Sequence, residues 1–164
     1  MSKLSDTIAY LDALGLSHDL DSFASRKRIQ KSIYLLKTLG ANLRFGYTWY
    51  IHGPYSPELT RTLLDPPREE VRNVRNLGKE ELEIVNLFRS FLENDFYSVD
   101  SLELVVSLLY LIRHGPEEDL DTKRKIVDYF LLKKPQFSPD EVEYAWRKLE
   151  GAGLWKADFR RLHS

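Results

Sequence analysis

Histidines are the side chains of this sequence best suited to acid–base chemistry or metal binding, and their spacing supports neither role. The chain of 164 residues contains four of them, His18, His52, His114 and His163. No two histidines stand four residues apart, as zinc ligands on one helix do, and no HExxH sequence occurs. Cysteine is absent, which excludes disulfides, thiolate metal sites and cysteine nucleophiles.

The sequence also lacks the short motifs that mark common catalytic sites. It contains no GxGxxG, no P-loop and no GxSxG sequence. Its acidic residues are scattered, and no pair stands out as a catalytic dyad. We therefore predict that the chain is not an enzyme and has no catalytic residues, no metal site and no cofactor. The competing enzyme hypothesis, a metal-dependent nuclease, would need carboxylates that only the fold could bring together.

The composition is that of an ordinary globular protein. Hydrophobic residues make up 43% of the chain and charged residues 30%, values typical of a folded sequence. The 24 basic and 25 acidic side chains leave a net charge of -1, which argues against a general coat for nucleic acid or anionic membranes. A length of 164 residues suits one core, and we predict a single domain spanning 1–164.

The sequence shows no segment typical of a membrane or secreted protein. The longest strongly apolar run, 102–112, contains Glu103 and Ser107 and falls short of the roughly 20 residues that a membrane span needs. The first residues carry no apolar signal core. We therefore predict a cytoplasmic protein that does not bind membranes. The sequence gives no indication of its oligomeric state.

The most specific local feature is a turn followed by a helix start at 50–59. Gly53 can take a positive φ, whereas Pro54 fixes φ and cannot donate a hydrogen bond to a neighbouring strand. Ser56 stands at the N-cap position, and Pro57 stands at the first position of the following helix. We therefore predict a structural turn built on these four residues.

A stripe of basic and aromatic residues lies on the helix predicted at 26–39, away from its apolar residues. At 100° per residue, Lys27, Gln30, Lys31 and Tyr34 are neighbours at separations of three, four and seven. Two interpretations stay open. Tyr34 packs under the next element while the lysines stay solvated, or the stripe docks a partner.

His52 adjoins the turn, and its role is open in the same way between local packing and binding. Tyrosines and the stems of basic side chains around a rigid turn are suitable anchors for another protein. The predicted partner-binding residues are therefore Lys27, Gln30, Lys31, Tyr34, His52 and Tyr55.

Hydrophobic periodicity predicts a mainly α fold, a single-domain helical bundle of about seven helices with a small β-hairpin. The pattern indicates helices at 4–14, 26–39, 57–64, 79–93, 100–113, 122–133 and 138–150. The helix at 100–113 is apolar nearly all round, which predicts a buried central helix. The spacing of Asp100 and Glu103 predicts a capping box at its start. The stretch 154–159 either extends the last helix or adds a short strand.

Apolar and polar residues alternate over 43–51, with many aromatic residues among them. This period of two predicts a β-strand. Because the backbone groups of a lone strand would lack partners, we predict that it pairs with an edge strand at 70–77.

Three segments in this order resemble the Panacea domain, the SocA-like group, and its YwgA-type relatives. They are Lys27 to Leu35, the aromatic-rich Tyr47 to Ile51, and Gly53 to Leu59. The positions that match are Gln30, Lys31, Tyr34, Gly53, Pro54 and Pro57, and the resemblance covers roughly the first 65 residues. Ser32 departs from the pattern, because the family often has a bulky apolar residue there.

The resemblance implies a mainly helical domain with a small strand element that binds another protein and has no enzyme activity. Panacea domains serve as antitoxins that neutralise diverse toxins, and SocA-like members act as proteolytic adaptors. The YwgA-type relatives have no assigned function. By analogy, we expect a non-enzymatic protein-binding module, antitoxin-like or adaptor-like, which docks a protein partner such as a toxin through the helix 26–39 and the Gly-Pro turn.

A second hypothesis is a winged-helix-like DNA-binding regulator that uses the helix 138–150 and the basic C-terminus. The Gly-Leu pattern at 151–154 is one that such domains often show before the wing. The residues that could contact phosphates are Arg147, Lys148, Lys156, Arg160 and Arg161. Against this hypothesis, the same helix carries Asp140, Glu141, Glu143 and Glu150, so nucleic acid is not the favoured partner.

Overall fold

The structure is a computed structural model that describes residues 2–163. Over this range the chain is mainly α-helical, with nine α-helices and one two-stranded antiparallel sheet. The predicted mainly α fold with a small β-hairpin is therefore confirmed. The chain divides into two compact units, with the boundary between Leu102 and Glu103, and a single domain spanning 1–164 stays a prediction. Within residues 2–163, every helix is too short or too polar to span a lipid bilayer.

The first unit contains the hairpin and the first five α-helices of the described chain. These helices are α1 (Lys3–Ala13), α2 (Phe23–Thr38), α3 (Pro57–Leu63), α4 (Arg68–Arg72) and α5 (Lys79–Leu92), and the strands are β1 (Thr48–Tyr50) and β2 (Gly53–Tyr55). The hydroxyls of Ser2, Ser22 and Ser56 accept hydrogen bonds from backbone N–H groups at the starts of α1, α2 and α3. Each hydroxyl thus satisfies one N–H that lacks a partner within its helix.

The second unit is built from the helices that follow. They are α6 (Val99–His114), which begins before the boundary and continues past it, α7 (Lys123–Lys133), α8 (Pro139–Gly151) and α9 (Lys156–Arg160). All residues from 102 to 109 are buried, so two turns of α6 are buried on every side, as its apolar pattern predicts. Periodicity missed α4 and α9, because a helix of five residues is too short to show a repeating apolar face. The stretch 154–159 neither extends α8 nor forms a strand: α8 ends at Gly151, Gly153 has a φ of 69°, and the separate helix α9 follows.

The strand prediction is wrong in its length and in its partner. Only 48–50 forms a strand, and it pairs with β2 directly after the turn, whereas part of the predicted partner at 70–77 is the helix α4. Val71 and Val74 are spaced by three, a spacing that suits a helix better than a strand. Leu43 and Phe45 are buried as the alternation predicts, but their segment forms no ladder.

The predicted capping box of α6 is also wrong. The Ser98 hydroxyl, not Asp100, accepts a hydrogen bond from a backbone N–H of the first turn, that of Ser101, at 3.2 Å. Glu103 is 1% exposed and forms an ion pair with Lys134, with 2.5 Å between Oε2 and Nζ. A residue with the right spacing for a cap is therefore used as one half of a buried ion pair.

Arg75 connects α1 to α5 through two carboxylates. Its guanidinium lies 2.9 Å from Asp6 Oδ1 and 2.6 Å from Glu81 Oε2. Glu81 also accepts a hydrogen bond from the Gly78 backbone N–H at 2.9 Å. The hydrogen bonds from Arg75 are the main cause that holds the pKa of Glu81 at about 2, below its usual 4.5.

We expect Glu81→Gln to remove a pH-dependent part of the stability. A depressed carboxyl pKa stabilises the folded state above the unfolded value near 4.5 and loses this effect as the pH falls through about 2. Because the side chain is 30% exposed, screening reduces the loss in the variant to about 1–2 kcal/mol at neutral pH. Urea denaturation of both proteins across this pH range measures it. An equal difference in unfolding free energy at neutral pH and at the acid end would contradict the assignment.

Candidate functional site

One long face of α2 is turned toward the β1–β2 hairpin and α3. Phe23, Arg26, Lys27, Gln30 and Lys31 follow one another at steps of three and one, so they lie above each other on this face. The face is separate from the aliphatic residues Ile29, Ile33, Leu35 and Leu36 of α2, which are buried in the core of the first unit. One side of α2 therefore packs in the core of the first unit, and another side lies against the hairpin.

The hairpin leads into α3 through the glycine–proline turn. β1 and β2 are antiparallel, with Tyr50 opposite Gly53. Gly53 has a φ of 95°, whereas Ile51 and His52 keep negative φ values. The positive φ that this hairpin turn requires thus falls on Gly53, which has no side chain to clash with the backbone. Pro57 is the first residue of α3, where its missing N–H costs no hydrogen bond.

Gln30 and Lys31 clamp this turn to α2. The Gln30 amide donates from Nε2 to the Ser56 carbonyl at 2.9 Å, and its Oε1 accepts from the Ser56 N–H, also at 2.9 Å. The Lys31 ammonium donates to the Pro54 carbonyl at 2.8 Å. Gln30 is 5% exposed and Lys31 is 2% exposed, so the interpretation in which the lysines of the stripe stay solvated does not hold for Lys31. The two side chains thus satisfy backbone N–H and C=O groups in and beside β2, as the backbone of a neighbouring strand would.

Tyr34 lies deeper than the rest of the stripe. It is 3% exposed, and its ring meets the edge of the Tyr47 ring with 5.1 Å between the centroids. The Lys37 ammonium lies 5.6 Å from the centre of the Tyr47 ring. Burial of the Tyr47 hydroxyl, with Tyr34 beside it, holds the Tyr47 pKa well above its usual 10.0. Tyr34 thus packs under the segment before β1, and a docking role for it stays a prediction.

A pocket lies beside this clamp, between the N-terminal half of α2, the hairpin and α3. Phe23, Tyr50, His52 and Tyr55 form its aromatic walls. The Phe23 and His52 rings meet edge to face with centroids 4.8 Å apart, and the Tyr50 and Tyr55 centroids are 5.4 Å apart. The hydroxyls of Tyr55 and Thr60 are hydrogen-bonded at 3.0 Å. Contacts within the wall and to α3 therefore fix the shape of the pocket.

Positive charge lines the same pocket. Arg26, Lys27 and Lys31 contribute to the lining, and none of the ten lining residues among those described is acidic. The Lys27 ammonium lies 4.8 Å from the centroid of the Phe23 ring, and the Arg26 guanidinium lies 5.9 Å from it. Arg26 also donates to the Leu20 carbonyl at 2.7 Å. Cations near an aromatic face are attracted by the quadrupole of the ring, so the charges of Arg26 and Lys27 are held beside the Phe23 wall of the pocket.

The size of the pocket decides which class of occupant it can hold. Its volume is about 200 Å³, whereas sites for drug-sized ligands enclose about 300–1,000 Å³. A cavity of about 150 Å³ accepts one benzene, so this pocket suits a single large side chain or one ring. Its lining offers no carboxylate for acid–base catalysis, and no three His, Asp or Glu side chains within 2–163 are grouped to hold a metal ion.

Most of the residues predicted to bind a partner line this pocket. They are Lys27, Gln30, Lys31, His52 and Tyr55. Of the other five lining residues, Gly53 was predicted only as part of the structural turn, and the prediction omitted Phe23, Arg26, Tyr50 and Thr60. Phe23 and Arg26 continue the helical face of the stripe by one turn, so the helical period could have found them. The positions of the other two depend on how the hairpin folds back on α2, which no local signal indicates.

Four of the basic residues of the second hypothesis lie on α8 and α9, and the fifth, Arg161, directly follows α9. In the described chain, α8 is followed by α9 and not by a two-stranded wing. Arg147 is 3.1 Å from Glu143 on the same helix, and Arg161 pairs with Asp158. Two of the five cations thus have carboxylate partners within their own helix or next to it, and no feature of this arrangement favours DNA binding.

Comparisons with known proteins returned no match. No protein-family model matches the chain, and no curated protein or solved structure matches it. The resemblance to Panacea domains and YwgA-type relatives therefore stays a prediction from the residues, and the functional conclusion depends on the geometry of the pocket.

Proposed function

We propose that this chain is a non-enzymatic protein-binding module that takes one side chain of a partner protein into the pocket between α2 and the hairpin. The observation that carries the proposal is the pocket itself, which is of side-chain size and has aromatic walls held in place by the clamp. A rigid pocket of this kind costs little ordering when it binds an anchor residue.

The surface next to the pocket extends the area available for contact. At the tip of the hairpin Tyr50 is 56% exposed and Ile51 is 73% exposed, and Phe23 at the start of α2 is 49% exposed. Exposed aromatic and aliphatic side chains beside a pocket are typical of interaction sites, and tyrosine is enriched among binding hot spots. An anchor side chain in the pocket would thus be flanked by apolar contacts that exclude water.

The class of partner follows from the resemblance stated above. An antitoxin-like module would hold an exposed segment of a toxin, and an adaptor-like module would hold a segment of a protein that is delivered to a protease. In either role, a pocket of this size can hold one anchor side chain of such a segment. DNA binding would instead require a basic surface that follows phosphates.

Selection of peptides on the intact chain tests the proposal. We expect a phage-displayed library of random peptides to yield binders to the immobilised protein. Phe23→Ala removes one wall without touching the buried core, and we expect it to weaken these binders by about tenfold or more. Leu132→Ala is the matched control, because Leu132 is an apolar residue that is 75% exposed and is not part of the pocket.

Thermal unfolding of both variants checks that each stays folded, since an exposed substitution changes stability by only about 0.5 kcal/mol. Failure to enrich any peptide would contradict the proposal. So would binders whose affinity is the same for the wild type and Phe23→Ala, because they would bind elsewhere on the surface.

A further inference from the structure

We infer, on the basis of the proposed function, that the pocket recognises an acidic segment of the partner protein. In this arrangement one apolar or aromatic side chain fills the pocket, and the Asp or Glu residues that flank it in the partner pair with Arg26 and Lys27. The juxtaposition that carries the inference is an aromatic cavity whose only charged lining residues, among those described, are cations.

The positive lining is a local feature and not a consequence of the composition. The chain as a whole has a net charge of -1, with 25 acidic and 24 basic side chains. Among the described residues, however, the pocket is lined by three cationic side chains and by no acidic one. Lys31 is buried and donates to the Pro54 carbonyl at 2.8 Å, so it contributes positive potential from the bottom of the pocket. Arg26 and Lys27 are more exposed and lie where a bound partner could reach them.

Two of the acidic residues near the pocket in sequence interact with other groups. The Asp19 carboxylate, before α2, accepts a hydrogen bond from the Asp21 N–H at 2.7 Å. Glu58 in α3 pairs with Lys3 of α1 at 2.5 Å. Neither residue lines the pocket. A partner's carboxylate would bring negative charge to a pocket whose charged lining residues, among those described, are cations.

The environment of the cations makes such a pairing selective. Charges interact more strongly where an apolar wall excludes water, and Lys27 and Arg26 lie against the Phe23 ring. Because the ring and the hydrogen bond from Arg26 to Leu20 hold these side chains near the pocket, little side-chain entropy is lost when a carboxylate binds. A basic segment would meet repulsion at the same place, which gives discrimination as well as affinity.

The sequences of the peptides selected above provide the first test. We expect Asp and Glu to be enriched next to one conserved apolar or aromatic position. Binders that are neutral or basic would overturn this inference while leaving the proposed function standing. A selection that enriches no peptide at all would contradict the proposed function and this inference with it.

A pair of synthetic peptides provides the second test. The probe is the most enriched sequence with a fluorescent label, and its counterpart has every Glu and Asp replaced by Gln and Asn. We expect the acidic probe to bind about tenfold more tightly by fluorescence anisotropy, because hydrogen bonds to charged groups are the strong ones. We also expect this advantage to shrink between about 50 mM and about 300 mM salt, as screening requires.

Substitutions in the protein then locate the charge effect. Lys27→Gln and Arg26→Gln should each lower the affinity for the acidic probe more than the affinity for its uncharged counterpart, and so remove most of the preference for the acidic probe. Arg124→Gln is the control, because it removes one positive charge from a residue whose side chain is 92% exposed and lies outside the pocket. Equal losses for both probes, or an equal effect of the control, would overturn the inference.

Discussion

Replacing Glu103 by Leu should destabilise the protein by about 3–5 kcal/mol, the usual cost of leaving half of a buried ion pair without its partner. The Glu103 and Lys134 side chains are each 1% exposed, and their charged atoms are 2.5 Å apart. Lys134 follows α7 directly and is held in place by the fold around it, so its ammonium cannot move into water without local unfolding. Urea denaturation measures the loss.

The double variant Glu103→Leu/Lys134→Met separates the cost of an unpaired charge from the value of the pair. Because burying two charges is itself expensive, a well-packed apolar pair is often as stable as a buried ion pair. We therefore expect the double variant to recover most of the stability that the single variant loses, a coupling that a double-mutant cycle measures. A double variant as unstable as the single variant, or a single loss below about 1 kcal/mol, would contradict this assignment.

An exposed ion pair supplies the control for this experiment. Arg124 and Asp128 lie one turn apart on α7, and their side chains are 92% and 71% exposed. Such a pair contributes at most about 0.5 kcal/mol. Asp128→Ala should therefore change the unfolding free energy by no more than this amount, although it removes the same kind of charge as Glu103→Leu.

Glu103 also shows where sequence reasoning reaches its limit. The apolar pattern of α6 predicts correctly that the helix is buried on every side, because the pattern is local and repeats. The role of Glu103 depends on Lys134, which is 31 residues away. Spacing within the helix indicated a capping box, and only the fold shows that a distant lysine uses this carboxylate.

The hairpin was predicted in part for a similar reason. Gly53 and Pro54 mark the turn, since their backbone requirements are properties of single residues. The partner of the strand is not such a property. Alternation over 43–51 indicated a long strand, but the turn that ends it folds the chain straight back onto β1, so the pairing involves only three residues on each side.

The packing of Tyr34 was one of two open interpretations of the α2 stripe, but the burial of Gln30 and Lys31 was not foreseen. A helical wheel separates the stripe from the apolar face, and solvent is the usual environment for such a polar face. The glycine–proline turn covers Gln30 and Lys31, and the segment before β1 covers Tyr34, so that all three are buried. The N-terminal part of the stripe lies beside the pocket. A polar residue that bonds to backbone cannot be distinguished by pattern from one that contacts water.

Gln30→Leu should cost about 1–3 kcal/mol, because it leaves the buried Ser56 N–H without its partner and removes one of two hydrogen bonds to the Ser56 carbonyl, which still accepts from the Thr60 N–H at 3.4 Å. Both groups belong to Ser56, and each bond to the Gln30 amide is 2.9 Å long. Leucine has nearly the same size as glutamine, so the loss reports hydrogen bonding and not an empty cavity. Urea denaturation of the variant measures the change in unfolding free energy.

Gln136→Leu is the matched control, since Gln136 is exposed and the same substitution there should change stability by about 0.5 kcal/mol or less. Gln30→Glu tests the mechanism further, because a carboxylate keeps the acceptor for the Ser56 N–H but loses the donor to the Ser56 carbonyl. It should therefore also be destabilised at neutral pH. If Gln30→Leu is as stable as the wild type, the amide does not hold the turn on α2, and the rigid pocket from which the binding function is inferred loses its support.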